Sequence, residues 1–372
     1  MKTYHFFPVF LMLVAGYVGM HYYAARWLAR AFSLSPSAAV WLRFALLAAA
    51  FTSPFTMFLR RHYQGPALEP LYAAAYAWMG IILITGFVFF CSDIAAFALR
   101  RFGAAGALAQ LPRITLASLF LILAWALYGG LRTPDLKEMT ISIKDLPPAL
   151  DGLKIAQISD MHVDSALKLR QFSRIVEKIN ASGPDLVLVT GDLIDPGIKC
   201  DNGMKDIAGK IKSRLGLYGA LGNHEYYYGL EKAEDCYKAF GITLLKNSSL
   251  DLKDLRLIGL GDIHTEHLTE ADVSGILKKA GDHKFTILMS HQPVFYKTIA
   301  AAGDYLVLSG HTHRGQIFPF SLFTRLFYPY FYGLYRINNS AFYVTSGCGT
   351  WGPPLRWLAP AEIPIITLRA GK

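Results

Sequence analysis

The sequence predicts an N-terminal α-helical membrane domain with four transmembrane helices, followed by an α/β domain. Three observations carry that reading: composition changes near residue 133, four long apolar runs precede the change, and strand-like runs alternate with helical ones after it.

Hydrophobic residues make up 53% of the 372-residue chain, and the mean hydropathy is +0.30. The excess falls before residue 134. Up to Thr133 there are ten Lys and Arg against only Glu69 and Asp93, a net of +8, which leaves 27 against 25, or +2, for the remainder. The sequence pI of 9.3 therefore reports the apolar part. The near-neutral remainder argues against nucleic acid as a partner, because that affinity rests on clustered Lys and Arg neutralising phosphates.

The apolar runs are Phe6–Tyr23, Ala38–Leu59, Leu71–Leu99 and Ile114–Leu131. Each approaches the ~20 residues a helix needs to cross ~30 Å of hydrocarbon. Arg26, Arg30, Arg60, Arg61, Arg100, Arg101, Arg113 and Arg132 mark their borders, as helix ends at headgroup level require. A cleaved signal peptide is disfavoured for the first run, since three more spans follow and no small-residue cleavage site is evident. Arg43 and Asp93 interrupt two runs near their ends, where snorkelling or packing inside the bundle accounts for them. Residues 1–133 are thus expected to form the transmembrane domain, 134–151 a linker marked by Pro134 and Pro147-Pro148, and 152–372 the second domain.

Four spans put the N-terminus and the second domain on one side of a cell (inner) membrane. Lys2, Arg60, Arg61, Arg132 and Lys137 mark one face, against Arg26, Arg30, Arg100, Arg101 and Arg113 on the other. The positive-inside rule is tied. A cytoplasmic second domain is expected because a domain retained inside needs no translocation. Cys91, Cys200, Cys236 and Cys348 share no metal-type spacing and read as free thiols.

After Lys154 the predicted strands are Lys154–Ser159, Asp185–Thr190, Leu215–Leu221, Phe285–Ser290, Asp304–Ser309 and Ala341–Thr345. Helices are expected near Ala166–Ala181, Gly203–Arg214, Glu231–Phe240, Thr269–Ala280 and Val294–Ala301. Such alternation argues for layered α/β packing. Leu250–Leu260 reads as a hairpin turning at Lys253-Asp254, so part of the sheet is expected to be antiparallel.

Five of the strands run into side chains capable of binding metals: Asp160-Met161-His162, Gly191-Asp192, Gly222-Asn223-His224-Glu225, His291, and Gly310-His311-Thr312-His313. The C-terminal ends of strands are where α/β sheets place their sites. Carboxylates and imidazoles with one neutral amide suit two divalent ions such as Mn, Fe or Zn. Two such ions ~3.5 to 4 Å apart clamp a phosphoryl group during in-line displacement by a bridging hydroxide. Singly these motifs are weak; their joint occurrence at strand ends is specific.

The five blocks, in this order, resemble the signature of the calcineurin-like metallophosphoesterases over about residues 152 to 370. The resemblance implies a four-layer αββα sandwich. It implies Asp160, His162 and His313 on one metal, Asn223, His291 and His311 on the other, and Asp192 bridging both. His224 would be the catalytic imidazole that protonates the leaving oxygen. The runs GNHEYYYG, SGHTHRGQIFP and SGCGTWGPPLR resemble the membrane-linked bacterial branch similar to YaeI and YkuE. Where that pattern has Gly after the second His of Gly-His-x-His, this chain has Arg314.

Arg314 and Arg356 are candidate substrate-binding contacts, because guanidinium holds phosphate by two bonds. Tyr226–Tyr228 are candidates to line a pocket. Phe320–Arg336 packs eight Phe and Tyr with two Arg into 17 residues, a composition suited to the bilayer boundary or to covering a sheet edge. The expected function is a membrane-anchored phosphoesterase acting on a phosphoester or pyrophosphate, with the bilayer and a lipid-linked phosphate as partners. The alternative is a transporter or sensor with a regulatory metal-binding domain.

Overall fold

The computed structural model describes residues 6–63, 65, 67–196, 200, 202–281 and 284–371. Lys2, one of the charges weighed for topology, lies outside them. By contacts the chain divides into two units, Met1–Tyr128 with Gly352–Trp357, and Gly129–Trp351 with Leu358–Lys372.

The first unit contains α1 (Phe6–Ala31), α2 (Pro36–Ala50), α3 (Thr52–His62), α4 (Glu69–Arg101) and α5 (Ala105–Leu131). Ser35 caps α2 by accepting the Ala38 N–H, and Pro36 occupies the first turn, where its missing N–H costs nothing. Among the described residues three stretches are long and apolar enough to cross a membrane: Pro36–Arg60, Glu69–Arg101 and Ala105–Leu131. The expected four spans are therefore corrected to three. The first apolar run, Phe6–Tyr23, lies at the start of α1, which is not among those three stretches.

His21 and Asp93, two polar groups of this unit, are paired. His21, fully buried, donates from Nδ1 to Tyr17 O (2.8 Å) and accepts the Trp78 indole N–H at Nε2 (3.0 Å). Asp93 accepts from Arg30 Nη2 (2.9 Å) and Tyr23 OH (2.8 Å). Trp27 stacks on Phe89 with centroids 3.9 Å apart, beside Ala24 and Ile82. Trp41, Phe97 and Phe120 remain exposed.

The second unit is built on β1 (Asp135–Lys144), β2 (Lys154–Ile158), β3 (Leu186–Thr190), β4 (Leu217–Ala220), β5 (Thr243–Leu244), β6 (Ser248–Leu252), β7 (Leu255–Gly259), β8 (Phe285–Met289), β9 (Tyr305–Ser309), β10 (Gly333–Ile337), β11 (Ser340–Val344) and β12 (Glu362–Gly371). They form two six-stranded sheets, ordered β1-β12-β2-β3-β4-β5 and β10-β11-β9-β8-β7-β6. Pairing is mixed: β2, β3, β4 and β5 run parallel, as do β7, β8, β9 and β11, while β12 meets β2 and β6 meets β7 antiparallel. The hairpin expected at Lys253-Asp254 is the turn between β6 and β7.

Alternation along the strands sets the layers, because successive side chains point to opposite faces. Ile155, Leu186, Leu188, Leu257, Ile287, Leu306 and Tyr343 form one buried core shared by both sheets. Ala156, Ile158, Val187 and Val189 face α6 (Ala166–Ser182) and α9 (Leu230–Ala239) through Phe172, Ile175, Ile179 and Tyr237. Ile258, Leu288, Val307 and Phe342 face α10 (Glu270–Ala280) and α11 (Tyr296–Ala302) through Val273, Leu277 and Ile299. The result is helix, sheet, sheet, helix.

The segment expected as a linker contains β1, paired in parallel with β12 from Asp135↔Glu362 to Lys144↔Gly371. Pro134 and Pro147-Pro148 mark the ends of this edge strand, where proline is tolerated. Ile141 and Ile143 supply the buried half of its alternation. The cysteine reading is also corrected: Cys200 and Cys236 form a disulfide, while Cys91 and Cys348 are free. Only the fold brings them together, since 36 residues separate them in sequence.

Candidate metal centre

The donor residues leave the ends of five parallel strands. Asp160 and His162 follow β2, Asp192 follows β3, and Asn223 opens α8 (Asn223–Tyr228) after β4. His291 follows β8, and His311 and His313 follow β9. Five of these seven have left-handed backbones: Asp160 (φ 54°), His162 (49°), Asp192 (54°), His311 (69°) and His313 (48°). Residues other than glycine avoid this region, and such strain concentrates where geometry serves function. A Cβ on Gly222 would collide with the Asp192 carboxylate, and one on Gly310 with that of Asp160, so both glycines let the chain pass close to a donor.

All seven residues converge. Candidate ligand atoms of Asp160, His162 and His313 lie within 4.8 Å of one another, as do those of Asp192, His291 and His311. Asp192 Oδ2 belongs to both neighbourhoods, 3.7 Å from His162 Nε2 and 3.1 Å from His291 Nε2. Asn223 Oδ1 lies 3.1 Å from His311 Nδ1, which in turn lies 3.3 Å from His291 Nε2.

The chemistry of the set fits two divalent cations. His162 Nδ1 donates to Asp195 Oδ1 (3.1 Å), so its Nε2 presents a lone pair, 2.9 Å from Nε2 of His313. His291 Nδ1 donates to Thr190 O (2.8 Å), which leaves its Nε2 for the donor side. Holding one ring nitrogen fixes the tautomer and aim of the other, the usual preparation of a ligating imidazole. Facing lone pairs with two carboxylates beside them repel unless a cation lies among them.

The same crowding shifts the acids and bases. Burial pushes Asp160 up, whereas for Asp192 burial is outweighed by His291, His224 and His162, which hold it well below the usual carboxylate range. Burial opposes charge on His291, yet Asp192 carries it up to about 10. Burial, reinforced by His291, pushes His311 down to about 3, so this imidazole is neutral as a ligand must be.

His224 also stands in this cluster, its ring edge-on to His162 at 4.4 Å. Its Nδ1 is bound to Asp195 Oδ1. Burial opposes its protonation, but Asp192 and Asp195 raise it to about 9. Asp195 was not singled out from sequence, although it is a carboxylate three residues beyond Asp192 in a strand-end loop. Glu225 is a second such residue: its carboxylate accepts the backbone N–H of Asp192 (2.9 Å), Leu193 (2.8 Å) and Gly222 (2.8 Å), locking two donor loops together. A third is Tyr328, whose hydroxyl lies 2.7 Å from His311 Nε2. One tyrosine in an aromatic-rich segment gave no signal of that contact.

Arg314 is half-buried, with φ 52° at the position where glycine was expected. Its guanidinium lies 4.3 Å from the centre of the Tyr332 ring and has no carboxylate partner among the described residues. Arg356 is buried in the Gly352–Trp357 segment, which groups with the helical unit, and its backbone N–H donates to Ala126 O (2.8 Å). Of the three tyrosines, Tyr227 stands edge-on to His224 at 5.2 Å, Tyr226 donates to Glu266, and Tyr228 lies 3.6 Å from the Cys200 sulfur.

Seven nitrogen and oxygen donors at the strand ends of a four-layer α/β unit define a candidate site for two divalent ions. The sequence model of the calcineurin-like phosphoesterases matches residues 153–315. A metallophosphoesterase of Helicobacter pylori is 39% identical over 245 residues, 65% of this chain and 65% of the relative. A transmembrane protein with metallophosphoesterase domain from Danio rerio is 33% identical over 275 residues, 69% of this chain and 63% of the relative. The metallophosphoesterase YkuE of Bacillus subtilis is 32% identical over 247 residues, 63% of this chain and 85% of the relative. The match thus spans just under two thirds of the Helicobacter pylori relative, and the chain belongs to the calcineurin-like metallophosphoesterase family.

Proposed function

We propose that this protein is a membrane-anchored, two-metal phosphoesterase that hydrolyses a phosphoester or pyrophosphate bond on a lipid-linked substrate. The observation that carries the reading is the convergence of all seven donors around Asp192. Asp160, His162 and His313 would hold one ion, Asn223, His291 and His311 the other, and Asp192 both. Manganese, iron and zinc suit these donors. When bound, the ions supply the Lewis acidity and water activation that in-line displacement at phosphorus needs.

The chain's own residues do the rest. His224, with Nδ1 committed to Asp195, keeps Nε2 to protonate the leaving oxygen. Arg314 follows the ligand His313 and, being free of a carboxylate, offers its guanidinium to a phosphoryl oxygen. Arg356, buried beside the helices, is retained as a substrate contact only for a ligand that reaches them.

Lipid linkage rests on two features. Three stretches have the length and composition of membrane spans. In addition, α12 (Phe320–Phe327), which begins seven residues after His313, buries none of its side chains and exposes Phe320, Leu322, Phe323, Leu326 and Phe327. A short apolar face of this kind suits the headgroup boundary. The Cys200–Cys236 disulfide weighs against the cytoplasmic placement expected from sequence, because such bonds persist in oxidising compartments. We therefore place the catalytic unit on the oxidising side of the membrane. The test is turnover by full-length protein of matched monoester, diester and pyrophosphate substrates, each with and without a lipid chain. Equal rates on lipid-linked and soluble forms would sink the lipid assignment.

A further inference from the structure

The chain after the last donor returns to the donor loop at three points. Tyr328 OH lies 2.7 Å from His311 Nε2, Thr312 Oγ1 donates to Phe331 O (2.8 Å), and Tyr332 carries the Arg314 guanidinium on its ring. Residues 328–332 thus form a strap over residues 311–314. Tyr332 is itself anchored, since its hydroxyl donates to the buried Glu362 carboxylate (2.7 Å) and Lys137 Nζ lies 2.6 Å from the same oxygen.

The Tyr328 contact differs from the other two because it ends on a candidate ligand. His311 turns Nδ1 toward Asn223 Oδ1 (3.1 Å) and His291 Nε2 (3.3 Å) and Nε2 toward Tyr328. An imidazole has one proton to place when neutral. For Nδ1 to offer its lone pair among the donors, that proton must sit on Nε2 and be donated to the Tyr328 oxygen. His162 and His291 have their second nitrogens engaged by Asp195 and by Thr190 O, so each of these three rings is aimed by a partner of its own. Among the described residues Tyr328 OH has no other hydrogen-bond partner, which leaves its own O–H uncommitted.

We infer that Tyr328 is a positioning residue for the second metal: its hydroxyl fixes His311 with Nδ1 toward the ion held with Asn223 and His291. This rests on the two-metal reading above. It makes the aromatic strap part of the metal centre rather than a cover over a sheet edge, and it couples α12 to the site, since Tyr328 is the next residue after that helix.

The test is a calorimetric titration of metal-stripped full-length protein, in detergent, with manganese chloride. Tyr328→Phe keeps the ring and removes only the oxygen. Tyr330→Phe, a strap residue whose ring packs on Tyr296 and Tyr335, is the control. Tyr328→Phe should weaken one of the two manganese sites by about 10- to 100-fold and leave the other unchanged, the usual consequence of losing an outer partner of a ligating histidine. Tyr330→Phe should bind both ions as wild type does. Unchanged binding in Tyr328→Phe overturns the inference. So does an equal loss at both sites with a lowered melting temperature, which is the mark of a structural role. Wild-type protein that bound no manganese would instead overturn the two-metal reading beneath it.

Discussion

Asp192 Oδ1 accepts the backbone N–H of His224 at 2.9 Å. The carboxylate shared by both donor groups is therefore oriented by the residue assigned to proton transfer, while its other oxygen faces His162 and His291. Asp192→Asn removes the charge from both groups and should abolish turnover and lower bound metal. His224→Ala keeps that backbone N–H, so it should retain two ions while losing about 10²- to 10⁴-fold in turnover. Elemental analysis beside the rate separates the two roles. Two ions and near-normal activity in Asp192→Asn would refute the bridging assignment.

The exposed face of α12 yields a second prediction. Of the apolar residues this helix exposes, Phe323, Leu326 and Phe327 are among the most exposed, whereas Phe331, beyond the helix, is half-buried with its carbonyl tied to Thr312. Each such side chain adds on the order of 1.5 to 3 kcal/mol when buried in an apolar phase. Replacing all three by Ser should depress vesicle binding and turnover of a lipid-linked substrate, with a soluble diester hardly affected. Equal loss on both substrates would assign the helix to the fold instead.

A third prediction concerns sidedness. With the Cys200–Cys236 bond present, alkylation of unreduced, denatured protein from cells should label only Cys91 and Cys348. An alkaline phosphatase fused after Lys372 should be active, since that reporter requires export. Labelling of all four cysteines together with an inactive fusion would restore the cytoplasmic placement.

Glu362 gives a dependence on pH away from the metal donors. Burial alone would raise its pKa, but hydrogen bonds from Tyr343 and Tyr332 and the Lys137 ammonium hold it below the ordinary glutamate value. A depressed folded pKa stabilises the fold above the unfolded value, ~4.3, and that contribution is lost as pH falls through the folded pKa. Glu362→Gln should therefore cost about 1–3 kcal/mol at neutral pH by leaving buried donors poorly paired. The gap to wild type should narrow below about pH 4. Denaturant melts at pH 7 and at about pH 3 would reveal it, and a gap independent of pH would contradict the assignment.

Much of this was legible in the sequence wherever one residue type had one physical meaning. Strands β3 and β9 are apolar up to their last residue, and β2 and β8 are mostly apolar, because both faces are covered, and each runs into polar residues that have no place in a core. Strand β1 was hidden because an edge strand with an exposed face reads like a linker. The Cys200–Cys236 pair and the carboxylate of Asp195 depend on contacts between separate loops, which spacing does not encode. The left-handed backbone at Arg314 shows why glycine was expected there, and what its replacement adds is a guanidinium beside the candidate ligand His313.

The most direct test of the central claim is turnover of bis-p-nitrophenyl phosphate by purified full-length protein, first stripped with a chelator and then reloaded with increasing manganese. The two-metal reading predicts no turnover after stripping and recovery that saturates at two equivalents of bound ion. A stripped protein as active as the untreated one would contradict it. So would a protein that binds two ions and stays inactive with manganese, iron and zinc alike, which would point to a regulatory metal domain on a transporter or sensor.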